Sequence, residues 1–172
     1  MIRLEPLTGH HDRNGFDCGI ELLDVWLKQT ALQHQGKGIS RTFVAVPAGE
    51  SAVQTWVKSG YAMEATSIFG FYALTLAFVL TDDLPAKQVK RYSRQIPVAC
   101  LGRLATRSDM QGQGLDQSLL ADAVNRARTA AQAVGSAGLF VDAKNEAAAC
   151  FYQRYGFTPA ADQPLKLFLS LW

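Results

Sequence analysis

The stretch from Ile96 to Ala131 constrains this chain more than any other part of it. It opens with "IPVACLGRLAT", an apolar run with the length and β-branched content of a strand. It passes through "RSDMQGQG", where Gly112 and Gly114 interrupt any regular element. It ends in a helical pattern in which Leu115, Leu119, Ala123, Ala127 and Ala130 recur near the 3.6-residue period. A strand that turns on glycines into a long helix leaves the first N–H groups of that helix without internal acceptors, so the turn is suited to an anion. Gly102, inside the strand, is expected to mark a bulge or a close approach by a ligand's backbone.

The rest of the chain reads as strands and helices intermixed. Ile2 to Leu7 suits an opening strand, and Asp17 is placed to cap a helix with Glu21 in its first turn. Ile20, Leu23, Leu27 and Ala31 line one face of that helix to about Gln33, and Gly36 and Gly38 end it. "SRTFVAV" predicts a strand over 40–46, residues 47–65 an irregular excursion, and 66–80 a strand apolar on both faces. Leu84-Pro85 begins a basic segment with a short helix through Tyr92. After the long helix, stopped by Gly135, come a core strand over 137–142, a helix capped by Asn145 and stopped by Gly156, and a strand over 165–171. With no internal repeat, 172 residues predict a single α/β domain, 1–172, with its own core around a mainly central sheet.

Several classes drop out. At 48% hydrophobic and 19% charged residues, the composition is that of a soluble globular protein. The longest apolar run, 68–80, is too short for a bilayer, and the N-terminus lacks a signal peptide's apolar stretch, so a cytoplasmic protein with no membrane role is expected. Cys18, Cys100 and Cys150 are odd in number and far apart, and His10, His11 and His34 fit no ligand spacing, so no disulfide framework and no metal site is expected. A net charge of +2 permits an anionic ligand or RNA without demanding either. Lys87, Lys90, Arg91 and Arg94 cluster in one segment, with Arg103 and Arg107 following; a solvated face and a phosphate-binding face both fit them.

The glycine turn has three anion-binding precedents: a dinucleotide fingerprint, a P-loop and a coenzyme A pyrophosphate loop. Residues 111–116, "QGQGLD", lack the Gly-Lys-Ser/Thr of a P-loop and the G-x-G-x-x-G of a dinucleotide site. The Q-x-x-G-x-G/A type remains, against an ordinary glycine turn. The flanking residues favour the first of these. "LGRLAT" before the turn and "VDAKNEAAACFYQRYGF" after it resemble strand four through helix four of the GCN5-related N-acetyltransferase (GNAT) family, with Phe151, Tyr152, Gly156 and Phe157 forming its Phe-Tyr-x-x-x-Gly-Phe ending. "FDCGIELLDVWLKQTA", "GISRTFVAV", "GFYALT", "IPVACLGRLAT" and "PLKLFLSL" extend the likeness over nearly the whole chain to the acetyltransferase toxins of bacterial type II toxin–antitoxin modules.

This resemblance implies a GNAT fold, a central mixed, mostly antiparallel twisted sheet flanked by helices. It implies a toxin that moves acetyl from acetyl-CoA to the α-amine of aminoacyl-tRNA and blocks translation, without a metal. It further implies a ribbon-helix-helix antitoxin as partner and a homodimer. Residue by residue, Tyr152 is the expected general acid for the departing thiolate: a phenol with pKa near 10 is protonated at neutral pH. The backbone of Leu104, Ala105 and Thr106 is expected at the pantetheine arm. Gln111, Gly112, Gln113, Gly114, Leu115 and Asp116 are expected at the pyrophosphate. Phe151 joins the cofactor-binding set, its ring also suiting the core with Tyr155, and Asn145 either joins it too or simply caps its helix. Lys87, Lys90, Arg91, Arg94 and Arg103, with Lys37 and Arg41 as possible additions, are the candidates for tRNA phosphates.

No Glu or His stands out as a general base. An α-amine with pKa near 8 is about one-tenth neutral at pH 7, so it tolerates that absence better than a lysine does. Cys150 is expected to face the core rather than act as a nucleophile. Asp116 departs from the family pattern, which has glycine or alanine there. A carboxylate about 5–6 Å from a diphosphate costs roughly 1–3 kcal/mol before screening, although a helix start favours it. Weakened acetyl-CoA binding is the expectation. Two rivals stand: an enzyme acetylating a small amine or protein N-terminus, and a non-catalytic homologue that binds acyl-CoA or antitoxin.

Overall fold

Apolar, β-branched segments form strands and Ala/Leu-periodic ones form helices in the computed structural model, which describes residues 1–92 and 94–172. The order is β1 (Ile2–Pro6), α1 (Glu21–Gln29), α2 (Ala31–Gly36), β2 (Arg41–Pro47), α3 (Glu50–Lys58), β3 (Gly70–Leu80), α4 (Ala86–Val89), β4 (Gln95–Thr106), α5 (Leu115–Val134), β5 (Gly138–Asp142), α6 (Glu146–Arg154), β6 (Thr158–Pro159) and β7 (Lys166–Ser170). The seven strands form one sheet in the order β1-β2-β3-β4-β5-β7-β6. The pairs β1–β2, β5–β7 and β6–β7 are antiparallel, and β4–β5 is parallel. The expected mixed α/β architecture is the one observed. Among the described residues no helix is long and apolar enough to cross a membrane.

The chain divides into two compact units, Met1–Ala73 with Arg103–Asp122, and Leu74–Gly102 with Ala123–Trp172. The first is cored by Leu7, Phe16, Leu27, Val44, Ile68 and Phe71, all at most 2% exposed. The second is cored by Leu84, Ile96, Val98, Phe140 and Phe168. On α5 the buried stripe steps by four through Leu115, Leu119, Ala123, Ala127 and Ala131, so Ala131 and not Ala130 ends it.

Other expectations need correcting. Asp17 does not cap α1: the helix starts after Ile20 with no side-chain cap, and Asp17 Oδ1 takes the Gly19 N–H at 2.8 Å instead. Gly19 at φ +86° is outside the helical region, which moves the start to Glu21. The single helix expected to Gln33 is two, broken at Thr30 (φ −119°). The excursion 47–65 contains α3, and β6 was not foreseen. The strand expected over 66–80 runs over Gly70–Leu80 and is fully buried only at residues 70–73 of it; Leu76, Phe78 and Leu80 are exposed. A Cβ on Gly102 meets no protein atom within 4 Å, which leaves room for the ligand approach expected there, whereas Gly70 and Gly138 are crowded.

Candidate active site

The turn after β4 is held from behind and open in front. Gln111 (φ −68°, ψ 150°) and Gly112 (φ +78°) have the central dihedrals of a type II turn, whose third position needs a left-handed residue. Gly114, at φ +80°, precedes α5. A Cβ on either glycine meets nothing within 4 Å, so the backbone conformation and not crowding calls for glycine. The two glutamine side chains fasten the turn inward. Gln111 Nε2 donates to Cys18 O at 3.2 Å and Thr106 O at 3.3 Å, and Gln113 Nε2 donates to Tyr61 Oη at 2.6 Å. Tyr61, inside the supposedly irregular excursion, was missed; no local signal joins residues 52 apart.

In the first turn of α5, Ser118 N–H donates to Gly114 O at 3.2 Å. The Leu115, Asp116 and Gln117 N–H groups have no helical acceptor by the geometry of a helix start. Together with the dipole they make a seat for an anion. Asp116 complicates it: exposed, its Oδ1 accepts the Gln117 N–H at 2.9 Å. The protein's own carboxylate thus takes a donor of that seat.

Three of the five N–H donors of the Arg107 side chain go to Asp109 (2.6 and 2.9 Å) and Ala62 O (3.2 Å), and the paired Asp109 carboxylate makes it a poor phosphate ligand. A cavity of about 460 Å³ beside it is lined by Asp12, Asp17, Glu64 and Asp109, and this acidic lining does not suit a diphosphate.

The parallel β4–β5 register pairs Ala99 with Leu139 and Cys100 with Phe140. Leu104, Ala105 and Thr106 lie on β4 past those pairs, as a strand that hydrogen-bonds a ligand's amides requires. Thr106 Oγ1 is buried with no partner among the described residues.

Helix α6 starts at Asn145, whose Oδ1 accepts the Ala148 N–H at 2.9 Å, so the capping role is present. Tyr152 is buried, its ring 5.2 Å from Phe151 and 5.5 Å from Phe157. Burial pushes its phenol up to about 12, so it holds its proton throughout the neutral range and has one to donate there. Half-buried Phe151 lies 5.1 Å from Tyr155. Cys150 is exposed, correcting the expectation that it faces the core; Ala149 and Tyr152 take the buried side.

Lys87, Lys90, Arg91 and Arg94 are all exposed around and after α4. Lys37 and Arg41 are exposed as well. Arg103 differs: half-buried, its guanidinium lies 4.1 Å from the Trp26 ring centroid, and burial lowers its pKa. Among the described residues no three His, Cys, Asp or Glu side chains are grouped to hold a metal.

A strand, a glycine turn on a helix start and a tyrosine at a Phe-Tyr-x-x-x-Gly-Phe motif are each what the sequence resemblance leads one to expect of an acyl-CoA-dependent acyltransferase. The model of the acetyltransferase (GNAT) domain matches residues 68–159. The tRNA-acetylating toxin of Mycobacterium tuberculosis (strain ATCC 25618 / H37Rv) is 32% identical over 160 residues, 93% of this chain and 86% of that protein. The structure of AtaT complexed with acetyl-methionyl-tRNAfMet is 31% identical and covers 99% of this chain and 95% of its own, with a TM-score of 0.83. A Tyr-to-Phe mutant of the AtaT toxin, bound to the C-terminus of the antitoxin AtaR and acetyl-CoA, is 29% identical with a TM-score of 0.75, covering 99% and 93%. The chain belongs to the GNAT acetyltransferases, in the branch formed by these toxins.

Proposed function

We propose that this protein transfers the acetyl group of acetyl-CoA to the α-amine of an aminoacyl-tRNA and so blocks translation. The observation that carries this reading is the likeness, along nearly the whole chain, to AtaT in complex with an acetylated methionyl-tRNA. The same coverage supports reading residues 1–172 as one catalytic domain.

In this reading the turn 111–116 holds the diphosphate through backbone N–H groups, and the backbone of Leu104, Ala105 and Thr106 pairs with the pantetheine arm. Phe151 flanks the cofactor on α6, whose start Asn145 caps. Acetyl-CoA supplies a thioester whose thiolate must leave protonated. Tyr152 donates that proton, its ring fixed by Phe151 and Phe157 and its pKa high enough to keep it loaded. The α-amine needs no dedicated base, since part of it is neutral at pH 7. The exposed cations Lys87, Lys90, Arg91 and Arg94 meet tRNA phosphates, each adding salt-sensitive affinity. Arg103 offers a planar cation on an indole, suited to the same polyanion.

A ribbon-helix-helix antitoxin and a homodimer complete the reading, with the cytoplasm, where charged tRNA is found, as its site of action. Leu76, Phe78 and Leu80, 64%, 62% and 47% exposed on alternate positions of β3, favour a second copy covering that stripe. The Asp116 carboxylate favours weakened donor binding, and it is the one observation on the side of a non-catalytic homologue.

Incubating the protein with acetyl-CoA and charged tRNA, then with free amines and peptides, tests the reading. Acetylated aminoacyl-tRNA is expected; transfer only to free amines or N-termini would place the acceptor elsewhere.

A further inference from the structure

We infer that Tyr72 and Asp122 are positioning residues for the diphosphate end of acetyl-CoA, setting α5 so that its first N–H groups face the ligand. This rests on reading the turn 111–116 as the diphosphate seat.

Gly70 and Tyr72, two apart on β3, lie on one face of the strand. Leu119 and Asp122, three apart on α5, lie on one face of the helix. The two faces meet at two points. A Cβ on Gly70 would come within 2.8 Å of Ala105 O and 2.9 Å of Leu119 Cδ1, so Leu119 packs on bare strand backbone there. Two residues on, the fully buried Tyr72 donates its hydroxyl proton to Asp122 Oδ2. Its ring stacks on Phe43 (centroids 5.2 Å, 26° between planes), which fixes the direction of the hydroxyl. A third tie comes just before the turn, where Arg107 N–H donates to Phe69 O at 2.7 Å. Residues 69, 70 and 72 of one strand region thus hold the chain on both sides of the glycine turn.

Apolar packing is non-directional and lets a helix roll about its own axis. A hydrogen bond has a preferred angle, and a buried phenol without a partner is costly, so the Tyr72–Asp122 bond selects one roll. Asp122 lies seven residues from Leu115, about 10 Å along the helix, so a roll there carries straight to the seat. The acidic residue three positions past Leu119 on the buried stripe was the signal for this pair in the sequence.

The test is calorimetric binding of acetyl-CoA together with KM, kcat and thermal melts for the full chain. Tyr72→Phe keeps the ring stack and removes the hydroxyl. Asp122→Asn keeps an acceptor oxygen, and Asp122→Leu removes it. Tyr72→Phe and Asp122→Leu are expected to weaken acetyl-CoA about tenfold, in KM as in binding, the scale of one lost hydrogen bond to a charged group. The kcat at saturating donor and the KM for aminoacyl-tRNA stay at their wild-type values, and Asp122→Asn binds acetyl-CoA like the wild type. Wild-type affinity in Tyr72→Phe, whatever its melting temperature, overturns the inference. Should Tyr72→Phe not fold, equal affinities of Asp122→Asn and Asp122→Leu overturn it. A wild-type protein that binds no acetyl-CoA instead refutes the reading of the turn itself.

Discussion

At the start of α6 the Asn145 carboxamide accepts the Ala148 N–H at 2.9 Å, whereas the corresponding position at the start of α5 is Gly114, which has no side chain to offer. A side-chain cap is typically worth about 1 kcal/mol, and α5, the longest helix among those described, does without one. What α5 has instead is a turn at positive φ, fastened from behind by two glutamines, and a carboxylate one residue inside the helix that takes its own neighbour's N–H. The contrast separates a helix start closed by its own side chain from one that, in the proposed function, keeps its donors for a ligand. It also identifies Asp116 as the residue that blurs the distinction.

The largest expected effect lies on the closed side. Tyr152→Phe keeps the packing against Phe151 and Phe157 and removes the proton donor, so kcat should fall by about 10²–10⁴-fold with acetyl-CoA affinity intact. Steady-state transfer assays set against calorimetry check this. Because burial holds the phenol up at about 12, the acid form persists well past pH 10. The kcat/KM should therefore rise as the acceptor amine deprotonates near pH 8 and show no loss from tyrosine ionisation below about pH 10. The same raised value adds stability that is present below pH 10 and lost as pH rises from about 10 towards 12.

Next comes the open start. Gly114→Ala puts a Cβ on a left-handed residue and should cost about 1–2 kcal/mol in denaturant unfolding, with weaker acetyl-CoA binding alongside. Wild-type stability in that variant would mean the turn does not need its glycine. Asp116→Gly, which clears the seat, should tighten acetyl-CoA by about tenfold at low salt, with the gain shrinking as salt is added. Equal affinities before and after the change would remove Asp116 from the account. The smallest effect is expected for Asn145→Ala: a loss of about 1 kcal/mol in stability with acetyl-CoA affinity unchanged. If affinity falls as well, Asn145 contacts the cofactor in addition to capping α6.

Much of this was legible from local patterns. Gly112 and Gly114 announce left-handed backbone because few other residues adopt it cheaply, and the stripe on α5 and the cap at Asn145 are properties of neighbouring residues. What escaped is long-range or depends on what covers a surface. Cys18 O lies 93 residues from Gln111, and Tyr61 lies in a segment that reads as irregular because α3 buries only Ala52 and has no side-chain cap. The apolar run 70–80 cannot say whether its outer half is covered; the chain leaves Leu76, Phe78 and Leu80 bare. Cys150 sits roughly 200° around α6 from Tyr152, a separation readable from the helical period once the tyrosine's burial is known.

The most direct test of the central claim is mass analysis of charged tRNA after incubation with the protein and acetyl-CoA. The account predicts an acetyl group on the α-amine of the esterified amino acid, absent when Tyr152→Phe replaces the wild type. Unmodified aminoacyl-tRNA in the presence of a protein that demonstrably binds acetyl-CoA, or undiminished acetylation by Tyr152→Phe, would contradict it.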